Sequence, residues 1–329
     1  MSFKTTKLII ELIWAQIIGE KMNNLSYGFR TLISTTFALL VAFFGFNNTA
    51  NAQFKPEVKY AQVGEVKLAY YTRGQGEPLI MIMGYAATMG MWDPALLEEL
   101  SKNNTLILFD NRGIGLSTDT KENKTTIPQM ADDAAGLVKA LGYKKANVLG
   151  WSMGARIAQQ FLIRHPDLVT KGILCAPNPG GKAQVKAAKQ TLDELNNPDL
   201  SVMGNIELLF PNNEAGKQAA KEAIARVNKA KANGIIPDDF NVPRETKIRQ
   251  DRARNALWDA DNQNYLDLKN LKMPVMVADG RFDILDVPKN SQIIANQIPF
   301  AWLAYFDGGH AFMYQQHKRF ADTFNAFMK

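Results

Sequence analysis

Two kinds of hydrophobic pattern alternate along this chain. Leu79-Ile80-Met81-Ile82-Met83, Thr105-Leu106-Ile107-Leu108-Phe109, Gly172-Ile173-Leu174-Cys175 and Pro274-Val275-Met276-Val277-Ala278 are short and nearly unbroken apolar runs. A strand covered on both faces has no polar side, so these runs predict interior strands of a parallel sheet. Between them, apolar residues return at helical spacing. In 127–141 they are Ile127, Met130, Ala134, Leu137, Val138 and Leu141, with Pro128 early and Gly142 just past the end, which are helix start and stop signals. Similar patterns predict helices over 92–100, 155–165, 290–297 and 317–327. Runs at 58–62 and 66–71, separated by Gly64-Glu65, predict an opening hairpin. A further strand is predicted over 302–306.

Strands and helices alternating through short connections indicate a parallel sheet with helices on both faces. The alternation breaks between Pro177 and Lys272, where helical patterns occur at 183–195, 215–231 and 245–258 without a convincing strand. It resumes at Pro274. The middle is therefore a helical insertion, about 178–271, in one α/β domain over 53–329.

The N-terminus departs from this pattern. From Leu32 to Phe46 it is apolar apart from a few hydroxyls, follows Arg30, and ends in Asn47-Asn48-Thr49-Ala50-Asn51-Ala52. A charged start, an apolar core and an Ala-x-Ala site predict a secretory signal cleaved after Ala52. The core of 15 residues is short of the roughly 20 that a spanning helix needs. Export to a periplasmic or extracellular space is expected, with no stable membrane insertion after cleavage. Met22 gives the signal a more usual length, which makes 1–21 an upstream extension.

Composition adds exclusions. The 329 residues carry a formal charge of +6, and residues 1–52 contribute Lys4, Lys7, Lys21 and Arg30 against Glu11 and Glu20. No basic run with interleaved aromatics stands out, so a nucleic-acid partner is not expected. The single cysteine, Cys175, rules out an internal disulfide and reads as a small buried residue.

The candidate chemistry begins at Gly150-Trp151-Ser152-Met153-Gly154, a G-x-S-x-G sequence between the apolar 146–149 and the helix expected from 155. A strand-turn-helix of this kind presents its serine on a sharp, strained turn. A serine hydroxyl attacks well only when a base takes its proton, and the base works best when a carboxylate fixes its tautomer. Three histidines are present. His165 ends a helix and His317 begins one. His310, in Asp307-Gly308-Gly309-His310-Ala311, follows the last predicted strand and so reaches the sheet's C-terminal edge, where open α/β sheets bind ligands. For the acid, Asp283 follows the strand ending at Ala278, with Asp279 and Asp286 as competitors: the first reads as a structural loop residue, the second as a cap for the helix after Pro288. Three scattered histidines and one cysteine make no metal-ligand cluster, and no cofactor is implied.

These motifs resemble the α/β-hydrolase fold superfamily, in particular its esterase, haloperoxidase-like and proline-iminopeptidase-like branches. The resemblance covers about 58–328. It rests on Gly150-x-Ser152-x-Gly154, on Phe109-Asp110-x-Arg112-Gly113-x-Gly115-x-Ser117, on Gly280-x-x-Asp283 and on Gly309-His310. It implies a mostly parallel eight-stranded sheet flanked by helices, with a helical lid after the sixth strand. The family's Gly-x-x-Asp pattern supports Asp283, while the position of Pro288 keeps Asp286 open. The resemblance places an oxyanion hole at the backbone N–H groups of Tyr85 and Met153, although Met83-Gly84 stands where a His-Gly pair is common. Asp110 and Arg112 read as loop braces. The implied activity is that of a serine hydrolase, carboxylesterase-like, acting on a small or medium substrate. The same triad serves peptidases, perhydrolases, carbon-carbon bond hydrolases, thioester hydrolases and acyltransferases, and a non-catalytic ligand-binding member is the rival from another class.

Overall fold

The computed structural model describes residues 54–195, 206–238 and 240–329. The expected leader, 1–52, lies outside the described residues. From Lys55 onward the chain forms a single unit, built on eight strands: β1 Lys59–Val63, β2 Val66–Arg73, β3 Glu77–Ile82, β4 Asn104–Phe109, β5 Ala146–Trp151, β6 Val169–Cys175, β7 Val275–Gly280 and β8 Ala301–Phe306. Their order in the sheet is β1-β2-β4-β3-β5-β6-β7-β8. Strands β1 and β2 form the antiparallel hairpin, β2 runs antiparallel to β4, and every later pairing is parallel.

Helix α1 (Pro94–Leu100) is capped by Asp93, whose carboxylate accepts from the N–H groups of Ala95 and Leu96. Helix α2 (Ile127–Ala140) is capped by Thr126 with Pro128 in its first turn, as its start signal requires. Helix α3 (Met153–Arg164) begins directly at the serine turn. Met130, Ala134, Leu137 and Val138 of α2 pack with Ile157, Phe161 and Leu162 of α3 against Ile80, Ile107 and Val148 of the sheet. Each such side chain, fully buried, contributes about 1.5–3 kcal/mol. The unbroken apolar runs are thus explained: β5 is buried at all its positions.

Between β6 and β7 lies a helical segment comprising α4 (Lys189–Leu195), α5 (Glu214–Ala232), α6 (Arg244–Arg252) and α7 (Gln263–Asp267). After β7 come α8 (Pro288–Gln297), β8, α9 (Phe312–Gln315) and α10 (His317–Met328). Two expectations need correction. The helix expected over 183–195 starts only at Lys189, because Gly180 and Gly181 take positive φ and Val185 N–H is held by Asn290 Oδ1 at 2.7 Å. The helix expected over 245–258 starts at Arg244 and passes through a π-helical turn, Ala253–Leu257, before Trp258–Ala260. Helices α7 and α9, at five and four residues, are too short to show a period.

The inserted segment meets the sheet's C-terminal side at several loops. Leu209 carbonyl accepts from Ala311 N–H at 2.8 Å, and Asn241 carbonyl accepts from Gly115 N–H at 2.9 Å. Arg226 of α5 pairs with the fully buried Asp93 at 2.6 Å. No helix among the described residues is long and apolar enough to cross a membrane.

Candidate active site

Strand β5 delivers the chain into a turn that only particular residues can make. Ser152 has φ +58° and ψ −123°, a conformation costly for any residue with a side chain. Its N–H is tied to Cys175 carbonyl of β6 at 3.0 Å, and its own carbonyl accepts from Ala155 N–H at 2.9 Å. The flanking glycines are required by close approach. A Cβ on Gly150 would lie 2.1 Å from Gly154 carbonyl oxygen, and one on Gly154 would lie 2.0 Å from that of Ile82. The strained serine, held on both sides, projects at the C-terminal end of the sheet.

The loop after β8 brings His310 to the same edge, and the loop after β7 brings Asp283. His310 Nδ1 donates to Asp283 Oδ2 at 2.7 Å, and both side chains are almost fully buried. Asp283 Oδ1 accepts from the N–H groups of Leu285 at 2.7 Å and Asp286 at 3.1 Å. Both carboxylate oxygens are therefore engaged, and the carboxylate is fixed in place. Trp151 shows how close the serine turn comes to the histidine: its indole Nε1 donates to His310 carbonyl at 2.9 Å, and its ring centroid lies 5.8 Å from the imidazole. Among the described residues no hydrogen bond joins Ser152 Oγ to the imidazole; such bonds often close only when substrate is bound.

Electrostatics around His310 pull in opposite directions. Burial opposes protonation, but the Asp283 carboxylate, seconded by Asp286, outweighs it, so the imidazole pKa lies above the ordinary histidine value. Asp286, the rival acid, makes no hydrogen bond to His310. It is held by Arg156 of α3 at 2.8 and 3.0 Å and by Asn178 at 3.1 Å. Asp279 is fully buried at the end of β7, accepting from Ser291 Oγ at 2.6 Å and from Gly280 N–H at 2.8 Å. Burial and the neighbouring Asp283 charge push its carboxyl well above the usual range. The hydrogen bond to the imidazole comes from Asp283, not from Asp279.

The loop after β3 packs directly on the serine: a Cβ on Gly84 would lie 3.3 Å from Ser152 Cβ and 3.8 Å from its Oγ. The backbone N–H groups of Tyr85 and Met153 find no acceptor among the described residues. Two unclaimed donors beside a nucleophile are what a developing oxyanion needs. Asp110 and Arg112 sit in the loop after β4 as braces. Asp110 accepts from Met89 N–H at 2.7 Å and Leu116 N–H at 2.9 Å, while Arg112 makes a two-pronged pair with the buried Asp133 at 2.6 and 2.7 Å. His165 is occupied elsewhere, bonded to Asp132 at 2.7 Å where α3 ends, and His317 opens α10. No group of three or more histidine, cysteine, aspartate or glutamate side chains suited to a metal ion occurs among the described residues.

Several residues around the site carried no readable sequence signal. Nothing in the motif singles out Trp151 as an anchor, yet its indole N–H holds the histidine loop at His310 carbonyl. Arg156, four residues after the serine, reads in sequence as an ordinary polar helix position; the buried partner that fixes its role, Asp286, is 130 residues away.

Comparison with known proteins bears on the fold. The family model described as the alpha/beta hydrolase fold matches residues 77–316. A Mycobacterium tuberculosis protein called non-heme bromoperoxidase BpoC is 39% identical over 112 residues, 34% of this chain, and the match spans 42% of that protein's length. A Caulobacter protein called carbamate hydrolase RutD is 25% identical over 238 residues, covering 72% of this chain and 84% of its own. Among solved structures, an alpha/beta hydrolase fold protein from Chitinophaga pinensis superposes with a TM-score of 0.72 at 25% identity, covering 85% of this chain and 99% of its own. With the family model spanning most of the sheet and the loops that carry Ser152, Asp283 and His310, the chain belongs to the alpha/beta hydrolase fold family.

Proposed function

We propose that the chain is an exported serine hydrolase that cleaves ester-type acyl bonds of a small or medium substrate through an acyl-enzyme. The observation that carries the reading is the 2.7 Å His310–Asp283 bond beside a serine held at positive φ. With Nδ1–H committed to Asp283, the imidazole presents Nε2 as the base. Ser152 Oγ attacks the carbonyl carbon as Nε2 takes its proton, and the N–H groups of Tyr85 and Met153 hold the oxyanion. Each such donor is worth about 3–4 kcal/mol in the transition state. Collapse of the tetrahedral adduct breaks the bond to the alcohol, which leaves with the proton from Nε2. Water, deprotonated by the same nitrogen, then releases the acid and restores the serine. The steps use only side chains and backbone of this chain.

The helical segment, about 178–271, is read as a lid, because Leu209, Asn241 and Arg226 tie it to the loops around the serine. Hydrolases of several bond types among the relatives agree with an acyl-transfer reading of the site. Labelling of the chain from Gln53 onward by a fluorophosphonate tests the proposal. Wild type is expected to label, and Ser152→Ala to lose both label and ester turnover, with kcat lower by on the order of 10⁴-fold. Turnover that survives in Ser152→Ala refutes the nucleophile; no labelling of wild type favours a binding protein of this fold. Export is checked by N-terminal sequencing of the secreted protein, expected to begin at Gln53.

A further inference from the structure

Helix α6 and the π turn after it reach across the site to the loop that carries the Tyr85 donor. Gln250, near the end of α6, is 1% exposed. Its side-chain Oε1 accepts the backbone N–H of Ala86 at 2.9 Å, although the two residues are 164 positions apart. One turn further on, at the fourth residue, the Arg254 guanidinium lies over the Tyr85 ring, 4.1 Å from its centroid. Residues four apart share a helix face, so one face of the inserted segment grips two consecutive residues of the oxyanion loop. The π turn, Ala253–Leu257, sets the phase at which Arg254 meets Tyr85. Such turns concentrate at functional sites.

The gripped loop needs an external hold. Ala86 has φ +52°, a left-handed conformation that a residue with a Cβ occupies at a cost of roughly 1–2 kcal/mol. Its N–H belongs to the peptide unit that follows Tyr85, so fixing that plane restricts the Tyr85 backbone and hence the aim of its own N–H. The amide orientation of Gln250 is dictated as well. Ala86 N–H can only donate, so Oε1 must face it. Nε2 is then left buried with no hydrogen-bond partner among the described residues, a cost of about 1–3 kcal/mol. A glutamine kept at that cost is explained by what its oxygen holds.

We propose that Gln250, supplied by the inserted segment, is a positioning residue that aims the Tyr85 N–H at the oxyanion. This rests on the serine hydrolase reading of the same site. It makes the segment part of the catalytic apparatus rather than only a cover. The test compares wild type with Gln250→Met, which keeps the length and removes the acceptor, and Gln250→Glu, which keeps an acceptor on Ala86. Three quantities are read: the acylation rate of Ser152 by a fluorophosphonate, kcat and KM on a p-nitrophenyl ester, and hydrogen-deuterium exchange of the peptide spanning residues 84–88. Gln250→Met is expected to lower acylation and kcat about 10- to 100-fold, less than outright loss of a donor, with KM little changed and faster exchange at 84–88. Gln250→Glu is expected to restore most of both. Wild-type acylation by Gln250→Met, or equal losses in the two variants, overturns the proposal. Unchanged exchange at 84–88 in Gln250→Met also overturns it, and this readout stands if wild type itself does not acylate, which is the separate failure of the hydrolase reading.

Discussion

Asp283→Asn isolates what the buried carboxylate does for the imidazole. Asp283 Oδ1 accepts the N–H groups of Leu285 and Asp286 at 2.7 and 3.1 Å, while Oδ2 faces His310 Nδ1 at 2.7 Å. An asparagine at this place keeps its oxygen toward the two N–H donors, because the opposite orientation sets donor against donor. Its NH2 then faces Nδ1, which must accept. The imidazole proton moves to Nε2, and the ring can no longer take one from Ser152. Tautomer traps of this kind lower kcat by on the order of 10⁴-fold, roughly 5 kcal/mol of barrier. The burst of p-nitrophenol from a p-nitrophenyl ester reads acylation directly, and the thermal midpoint, expected to stay close to wild type, separates chemistry from folding. Asp286→Asn is the control. Asp286 pairs with Arg156 and Asn178 rather than with His310, so its loss shifts the charge balance without reversing the tautomer, and acylation falls by no more than about tenfold. The reasoning is refuted if Asp283→Asn keeps a tenth or more of wild-type acylation, or if Asp286→Asn loses as much as Asp283→Asn.

The same arrangement fixes a pH dependence. His310 must be neutral to act as base, and its pKa lies above the ordinary value because Asp283 and Asp286 outweigh the burial that opposes protonation; kcat/KM is therefore expected to fall on the acid side with a midpoint above about 6.5. Asp286→Asn removes a charge that favours the imidazolium and should move that midpoint lower; a midpoint below 6 in wild type, or one unmoved in the variant, contradicts the assignment. In the loop after β4, Arg112→Met strands the Asp133 carboxylate, whose side chain is 5% exposed, and should cost about 3–5 kcal/mol by urea unfolding, while Arg112→Met combined with Asp133→Leu recovers most of the loss. Equal destabilisation of the single and double variants would show that the pair is not what matters there.

How much of this was legible in the sequence follows from the range of the interactions involved. The interior strands β3, β4, β6 and β7 announce themselves because burial on both faces removes polar positions, and their edges moved only where backbone pairing outruns the apolar run. Strand β3 starts at Glu77, paired with Asn104, and β6 at Val169. The serine turn was readable because its constraints are local, two glycines and a serine within five residues. His310 was readable by elimination among three histidines. The choice between Asp283 and Asp286 was legible only as a preference from the Gly280-x-x-Asp283 pattern, since three residues apart in one loop they are separated by which distant group each meets, His310 or Arg156. Gln250 and Arg254 left no trace for the same reason: a polar residue on a helix with an unremarkable pattern gains meaning only from a loop 164 positions earlier.

The parallel pairing of β6 with β7 constrains the order of events during synthesis. Cys175 and Ala278 are register partners, yet the whole inserted segment is made between them. At about 5–20 residues per second, those roughly 100 residues take on the order of 5–20 s. A chain that paired its strands as they emerged would for that interval have β6 as the outer edge of six strands with its hydrogen-bonding groups unmatched, the kind of edge that recruits foreign strands. Neither Asp283 nor His310 has yet been made. An exposed edge of that kind would thus precede the residues proposed for the chemistry, and a chaperone that shields extended apolar segments would act on this chain there.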